Sequence, residues 1–214
     1  MNQLKVYEFN QAKSLVTELV RLYKTNDVKT LQAHKDFLLN EIKSVFDKKD
    51  IDASEFLNDI DDIKLSRKRA GNLLEKLKTV VEEYEVPTNA EVNKLFKKVK
   101  KLKAPDFDEV DKKSLCFIAW NDLSSNRKYF IYKNRHNEFD GIYGELSPNK
   151  IKGFCKICNQ ESKVSLFLCK SKTSGDGTYK KKGDYICNDS EVCNQHLTDI
   201  EDLYGFVENV NEKL

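Results

Sequence analysis

The 214-residue chain lacks the features of a membrane or secreted protein. No stretch reaches the roughly 18 uncharged apolar residues that a membrane-spanning helix requires. The first ten residues, MNQLKVYEFN, contain no basic cap followed by an apolar run, so they do not resemble a secretory signal. We therefore expect a cytoplasmic protein that makes no membrane contact, and we expect it to act as a monomer.

Common catalytic motifs are absent as well. The sequence has no GxSxG elbow, no Walker-type phosphate loop and no HExxH pair. The formal net charge is only +2, which is small for nucleic-acid binding through overall charge. The chain has 39% hydrophobic and 34% charged residues, which is typical of a folded globular protein. We predict a binding protein and not an enzyme.

The first half of the chain has helical periodicity. Apolar residues recur at helical spacing in four segments joined by short polar connections, which predicts a four-helix bundle over residues 1–86. The third segment begins after Asp52 and the fourth after Ser66. The apolar stripes are Leu15, Val16, Leu19, Leu22 and Tyr23; Leu31, Phe37, Leu38, Ile42 and Val45; Phe56, Leu57 and Ile60; and Leu73, Leu74, Leu77, Val80 and Val81.

A second domain is predicted over residues 87–214. Thr88 and Glu91 have the spacing of a capping box and begin a helix. The buried stripe of this helix is Leu95, Val99 and Leu102. Its other face carries Lys94, Lys97, Lys98, Lys100, Lys101 and Lys103. Clustered lysines suit an anionic partner such as ribosomal RNA or an acidic protein surface, but a solvated helix face explains them equally well.

Downstream of Pro105 the apolar period shifts towards two, which predicts strands. The predicted strands are residues 114–120, 127–134, 139–145 and 164–170, and a glycine-containing hairpin tip is predicted at residues 173–178. A last helix begins at Thr198 and buries Ile200, Leu203, Tyr204, Val207 and Val210. The predicted fold class is α+β, with a four-helix bundle followed by an α/β domain.

Six cysteines in a chain that is expected to stay reduced favour metal binding over a disulfide framework. Cys155 and Cys158 have CxxC spacing, and Cys187 and Cys193 follow after a strand, a hairpin and a second strand. Each pair can occupy one edge of a tetrahedron around a metal ion. We predict one structural zinc ion in a treble-clef-like finger over about residues 153–214.

Other interpretations of the cysteines stay open. A CxxC pair can also be a redox centre, although a thioredoxin-like pair lies where a strand meets a helix, and here a further strand follows. His196 competes as the fourth zinc ligand. Cys116 and Cys169 lie inside predicted strands, where burial as small hydrophobic residues is favoured over metal ligation.

Aromatic and basic side chains surround the predicted metal site. Phe154 directly precedes the first ligand, and Lys182 and Tyr185 precede the third. Phe206 lies about 100 degrees from the centre of the apolar stripe of the last helix, so we expect it to be exposed. An aromatic anchor beside lysines suits an acidic protein partner or stacking on RNA bases. The alternative is that these rings pack beside the zinc or in a second, smaller core.

Three runs in the second half, AWNDLSSNRKYFIYKN, GIYGELSPNKIKGFCKICNQES and KKGDYICNDSEVCNQHLTDI, resemble the FusB family of fusidic acid resistance proteins. The resemblance extends over the whole chain and includes the segment LFKKVKKLKAP, while Ala119 stands where the family is expected to have glycine. It implies a helical bundle joined to a treble-clef zinc finger whose ligands are Cys155, Cys158, Cys187 and Cys193.

The resemblance also implies a function. Members of the family bind the C-terminal domains of the translocation factor EF-G, on or off the ribosome. They restore translation in the presence of fusidic acid without destroying or exporting the drug. The implied EF-G-binding face is Phe154, Lys182, Tyr185 and Phe206. Two alternatives stay open: a zinc-finger module that associates with the ribosome through ribosomal RNA, and a zinc- or thiol-dependent enzyme that modifies the drug.

Overall fold

The computed structural model describes residues 2–25, 28–107, 109–172 and 179–211. The chain forms two compact units, Met1–Glu83 and Tyr84–Leu214. The expected hairpin tip at residues 173–178 lies outside the described residues. Among the helices that the structure describes, none has the length and apolar content needed to cross a bilayer.

The first unit contains four helices, as the sequence periodicity predicts. They are α1 (Val6–Leu22), α2 (Val28–Asp47), α3 (Ser54–Ile60) and α4 (Arg67–Leu77). α4 begins where expected, because the Ser66 hydroxyl accepts a hydrogen bond from the Arg69 N–H at 3.2 Å. α1 packs chiefly against α2, and Leu19 and Ile42 on these helices are fully buried.

Phe37 and Val81 do not lie on the buried faces of helices, as the predicted stripes require. Phe37 is 57% exposed, because the buried side of α2 is formed by Leu38, Ile42 and Val45. Val81 lies beyond a short 3-10 helix and forms a parallel bridge with Leu4. The Leu4 N–H donates to the Val80 carbonyl and the Glu82 N–H donates to the Leu4 carbonyl, both at 2.9 Å. Backbone pairing with the N-terminal segment therefore takes the place of further helix.

The second unit is built on one antiparallel sheet. Its helices are α5 (Asn89–Leu95), α6 (Ser190–His196) and α7 (Ile200–Val210). Its strands are β1 (Ile118–Asp122), β2 (Arg127–Lys133), β3 (Phe139–Leu146), β4 (Ile151–Phe154), β5 (Glu161–Lys172) and β6 (Tyr179–Cys187). β1, β2 and β3 pair in that order, β3 and β4 pair with different parts of one edge of the long strand β5, and β6 pairs with the other edge of β5. The predicted α+β fold class is confirmed.

α5 is shorter than the prediction. Its capping box forms as expected, but the helix ends at Leu95, where Phe96 leaves the helical conformation. The Phe96 ring makes edge contacts with the rings of Trp120, Tyr129 and Tyr143. Val99 and Leu102 pack against the same aromatic cluster from a non-helical segment. Most of the lysine-rich stretch therefore lies outside a helix, although its apolar residues still face the core.

The strands differ from the prediction at β1, β4 and β5, and β5 (Glu161–Lys172) extends beyond the predicted residues 164–170 at both ends. β1 begins at Ile118 and not at residue 114, because Lys112–Ser114 forms a 3-10 turn. β4 is not predicted, since it is only four residues long and its sequence, IKGF, contains lysine and glycine. It pairs antiparallel with β5, and Phe154 lies opposite Glu161. This pairing places Phe154 at the end of a strand, directly before the first cysteine of the CxxC pair.

Phe206 is buried, so its expected exposure is wrong. Its exposed fraction is 1%, and its ring centroid lies 5.9 Å from that of Phe167 and 6.2 Å from that of Phe130. The buried face of α7 is wider than the helical stripe suggests, because the sheet beneath it presents bulky rings from both β2 and β5. The alternative of a core position for Phe206 is the correct one.

Candidate zinc centre and its surface

Four cysteine side chains converge where β4, β6 and α6 meet. The Sγ atoms of Cys155, Cys158, Cys187 and Cys193 all lie within 4.8 Å of one another, and all four residues are buried. The Cys155–Cys193 and Cys158–Cys187 sulfur distances are both 3.8 Å. A zinc–thiolate bond of about 2.3 Å gives a tetrahedral edge of about 3.8 Å. The four sulfurs therefore fit one zinc ion.

A tight knuckle after β4 positions the first two thiols. The Cys155 N–H donates to the Gln160 carbonyl at 3.0 Å, and the Asn159 N–H donates to the Cys155 carbonyl at 2.9 Å. Asn159 has a φ of 54°, a left-handed conformation that asparagine adopts more readily than most residues. These bonds close the turn, so that the side chains of Cys155 and Cys158 point into the same space.

The last two thiols come from a strand–helix junction. Cys187 ends β6, and Cys193 lies in α6. The backbone N–H groups of Ile157 and Cys187 donate to the Cys155 sulfur at 3.4 and 3.2 Å. Hydrogen bonds from the thiols of Cys158, Cys187 and Cys193, together with one from the Cys158 backbone, hold the pKa of Cys155 well below its usual range. Hydrogen bonds from the same cluster and burial raise the pKa of Cys158 and Cys193, so the thiolate form is favoured at Cys155 and not at all four sulfurs.

A buried lysine lies behind this junction. The Lys128 ammonium donates to the Asn188 carbonyl at 3.0 Å, to the Ser190 hydroxyl at 2.7 Å and to the Asn121 side-chain oxygen at 3.0 Å. Burial lowers the pKa of Lys128 to about 8, and the sulfurs of the cluster oppose that shift. Asn188 and Ser190 lie between the last two cysteines in sequence, so Lys128 fixes the segment that sets their spacing.

A second buried polar residue anchors α6. The Asn194 side-chain oxygen accepts hydrogen bonds from the N–H groups of Cys116 and Phe117 at 2.6 and 3.1 Å. Its amide nitrogen donates to the carbonyls of Phe117 and Ser190, both at 3.0 Å. These bonds attach the helix that carries Cys193 to the segment that enters β1. Neither Asn194 nor Lys128 is predictable from sequence, because an isolated polar residue gives no spacing signal.

The remaining thiols and His196 are not part of the cluster. Cys116 and Cys169 are buried as expected, and burial raises the pKa of both thiols. The Cys169 thiol donates to the Tyr143 carbonyl at 3.4 Å. His196 ends α6 and does not belong to the metal-binding group found among the described residues, whose fourth member is Cys193. Convergence of four thiols favours a metal site over a CxxC redox pair.

The residues expected to contact a partner do not form one patch. Phe154 is 72% exposed and Tyr185 is 41% exposed. The Lys156 N–H donates to the Tyr185 carbonyl at 2.9 Å, so the backbone of Tyr185 lies beside the knuckle that Phe154 precedes, although the β5 register places the two rings on opposite faces. We call Phe154, Lys156 and Tyr185 the knuckle surface. Lys182 lies three residues from Tyr185 on β6, and strand alternation places these two side chains on opposite faces. Phe206 lies in the core.

Together, the helical unit, the antiparallel sheet and the four thiols at a knuckle and a strand–helix junction define a two-unit protein with a treble-clef zinc finger. Residues 3–85 match the family model described as "Elongation factor G-binding protein, N-terminal". Residues 89–206 match the family model described as "FBP C-terminal treble-clef zinc-finger". The predicted cofactor, one zinc ion held by a treble-clef finger, agrees with this class and with the sulfur geometry.

The chain is also similar to the solved structure of the fusidic acid resistance protein FusC. The TM-score is 0.94 and the sequence identity is 54%, over 99% of each chain. A comparison with curated protein sequences gave no match. The chain therefore belongs to the family of elongation factor G-binding proteins with a C-terminal treble-clef zinc finger, the FusB family that the sequence resembles.

Proposed function

We propose that this protein protects translation from fusidic acid by binding EF-G and promoting its release from drug-stalled ribosomes. The main support is the 54% identity to FusC over 99% of the chain, together with the match of residues 3–85 to an EF-G-binding family model. Because the likeness covers both units, it does not depend on one widely shared domain. The protein would act in the cytoplasm as a monomer, with the target and not the drug as its ligand.

Zinc has a structural role in this proposal. Cys155, Cys158, Cys187 and Cys193 would hold the ion, which when bound cross-links the knuckle to the strand–helix junction. Four thiolates fill the tetrahedral shell and leave no open position for a catalytic water. This favours a binding role over drug modification. Metal binding would add folding free energy to the finger, so the surrounding surface would depend on the ion.

EF-G binding is assigned to residues 87–214, and within them to the knuckle surface. Phe154 offers a large exposed ring, Tyr185 offers a second partly exposed ring, and the exposed Lys156 adds a positive charge two positions after Phe154. Aromatic anchors of this kind contribute most of the affinity in protein interfaces. Lys182 would contact the C-terminal domains of EF-G from the opposite face of β6. Phe206 would act indirectly, since its ring supports β5 from below.

Release of EF-G follows if the protein prefers one state of the factor. A ligand shifts an equilibrium only through its differential affinity for two states. The protein would bind EF-G in an arrangement that fits the ribosome less well than the drug-locked arrangement. EF-G would then leave the ribosome faster, and the drug would dissociate from the freed factor.

The test measures two quantities for the same variants: affinity for free EF-G, and the rate at which labelled EF-G leaves fusidic acid-stalled ribosomes. Phe154→Ala should weaken EF-G binding by at least about tenfold, as expected for loss of an anchor ring. Leu123→Ala is the matched control, because Leu123 is an 85% exposed apolar side chain in the same unit. It should leave both quantities unchanged.

Three results would contradict the proposal or part of it. Tight EF-G binding by the wild type with no faster departure from stalled ribosomes would exclude the release mechanism. Equal losses for Phe154→Ala and Leu123→Ala would show that the knuckle surface has no special role. Chemically altered fusidic acid after incubation with the protein would favour the enzymatic alternative.

A further inference from the structure

We propose that residues 94–103 form a second interaction surface, which binds the phosphate backbone of structured RNA. The lysine surface consists of Lys94, Lys97, Lys98, Lys100, Lys101 and Lys103. The choice of RNA rests on the proposed function, because a protein that acts on ribosome-bound EF-G works among the phosphates of ribosomal RNA. The charge, exposure and anchoring of the segment are observed independently of that function.

The lysine surface has a concentrated charge of one sign. It contains six lysines and no acidic residue, and the surrounding sequence from Val92 to Pro105 adds none. All six lysines are exposed. No ion pair found among the described side chains includes any of them, whereas Lys133 pairs with Glu85 at 2.7 Å and Lys181 with Glu145 at 2.6 Å. The near-neutral chain therefore carries a local concentration of positive charge at residues 94–103.

The backbone under these charges is anchored to the core. Phe96 is buried in the aromatic cluster, and the Val99 N–H donates to the Phe96 carbonyl at 2.8 Å. Leu95, Val99 and Leu102 are packed against the same cluster. Apolar residues thus recur every three or four positions and hold the segment, while the lysines between them face solvent. An anchored segment loses less conformational entropy when it binds a partner.

The residue types of the lysine surface favour phosphate groups as the ligand over a protein surface or nucleic-acid bases. Protein interfaces are depleted of lysine and enriched in aromatic residues and arginine. Between residues 94 and 103 the only aromatic side chain is Phe96, which is buried, and there is no arginine. The segment therefore offers neither an anchor for a protein partner nor a ring on which bases could stack. Ammonium groups alone contact phosphates without reading sequence.

The experiment measures binding of the full chain to a 20-base-pair RNA hairpin and to purified ribosomes without EF-G, over a range of salt concentrations. The variant replaces Lys97, Lys98, Lys100 and Lys103 by glutamine and leaves Lys101, whose φ is 58°, in place. Each phosphate contact contributes about 0.9 to the slope of log affinity against log salt, so the slope should fall by about 3 to 4. Both RNA probes should show this loss.

Two further variants control for net charge and for folding. Replacing the exposed residues Lys13, Lys43, Lys48 and Lys76 by glutamine removes the same charge from the first unit and should change the slope by less than about 1. The lysine surface with the same four residues changed to arginine keeps its charge and should bind RNA as the wild type does. Affinity for EF-G, measured in parallel, should be unchanged in all three variants.

Specific outcomes would overturn the inference. The first is a slope of log RNA affinity against log salt that is unchanged in the lysine-surface variant, and the second is an equal decrease of that slope in the first-unit control. The others are tighter binding to polyglutamate than to RNA, and binding to the hairpin but not to ribosomes. Failure of the RNA measurements with intact EF-G binding would remove only this inference. If the wild type did not bind EF-G, the proposed function would be contradicted, whereas the RNA measurements would still test this inference.

Discussion

Phe206→Ala should strongly destabilise the second unit, while Phe154→Ala should leave its stability unchanged. Replacing a buried phenylalanine by alanine costs about 3–5 kcal/mol, because apolar burial is lost and a cavity remains. Phe206 is 1% exposed and contacts the rings of Phe167 and Phe130, so we expect about 4 kcal/mol. Phe154 is 72% exposed, and its replacement should change stability by less than about 0.5 kcal/mol.

The single tryptophan makes this measurement specific to the second unit. Trp120 lies in β1, so its fluorescence during urea unfolding of the full, zinc-loaded chain follows that unit. With an m-value of about 2 kcal/mol per molar urea, a loss of about 4 kcal/mol lowers the midpoint by about 2 M. Phe206→Leu keeps much of the buried volume and should give a smaller shift, which separates cavity formation from a general effect of substitution.

The same variants separate a core role from a contact role. At a temperature where both variants are folded, Phe154→Ala should lose affinity for EF-G and Phe206→Leu should keep most of it. Suppose that Phe206→Ala were as stable as the wild type but bound EF-G at least tenfold more weakly. Phe206 would then act as a surface residue, and the argument from its burial would be refuted.

Three other perturbations test the structure. Gly183→Ala should destabilise the second unit by about 3 kcal/mol or more, because its Cβ would clash with the Phe167 carbonyl oxygen. Gly205→Ala in α7 meets nothing within 4 Å and should add about 0.5–1 kcal/mol of stability in the same urea assay. Lys128→Met should cost about 1–3 kcal/mol and speed zinc loss to a chelator, because three oxygens lose their donor; equal zinc release would contradict this. Removing zinc with a chelator should make four thiols reactive, while Cys116 and Cys169 stay protected by burial; six reactive thiols would mean that the whole unit unfolds.

Features that follow from local spacing were predictable from the sequence. Helical periodicity gave the four helices of the first unit, and the capping-box pair at Thr88 gave the start of α5. The zinc ligands were predictable because two cysteine pairs at short spacing around a hairpin are rarely brought together without a metal. In these cases the signal lies in residues that are near one another along the chain.

Features that depend on packing between elements that are distant in sequence were not predictable. Whether Phe206 is buried depends on Phe130 and Phe167 from distant strands, and helical arithmetic on α7 contains no information about them. The position at which α5 ends is likewise set by packing against distant residues. Outside the helix, the Phe96 ring packs edge-on against the rings of Trp120, Tyr129 and Tyr143, and this tertiary packing outweighs the helical preference of the lysine-rich sequence.

The zinc centre and the knuckle surface are connected by a short chain of bonds. Phe154 is bonded to Cys155, and Lys156, one position further on, donates its N–H to the carbonyl of Tyr185. Two residues after Tyr185 the strand ends at Cys187, whose N–H donates to the Cys155 sulfur. Zinc would close this loop covalently and fix both rings before EF-G arrives. Because fixing flexible groups in advance reduces the entropy lost on association, zinc occupancy should raise affinity for EF-G through the protein surface that it fixes.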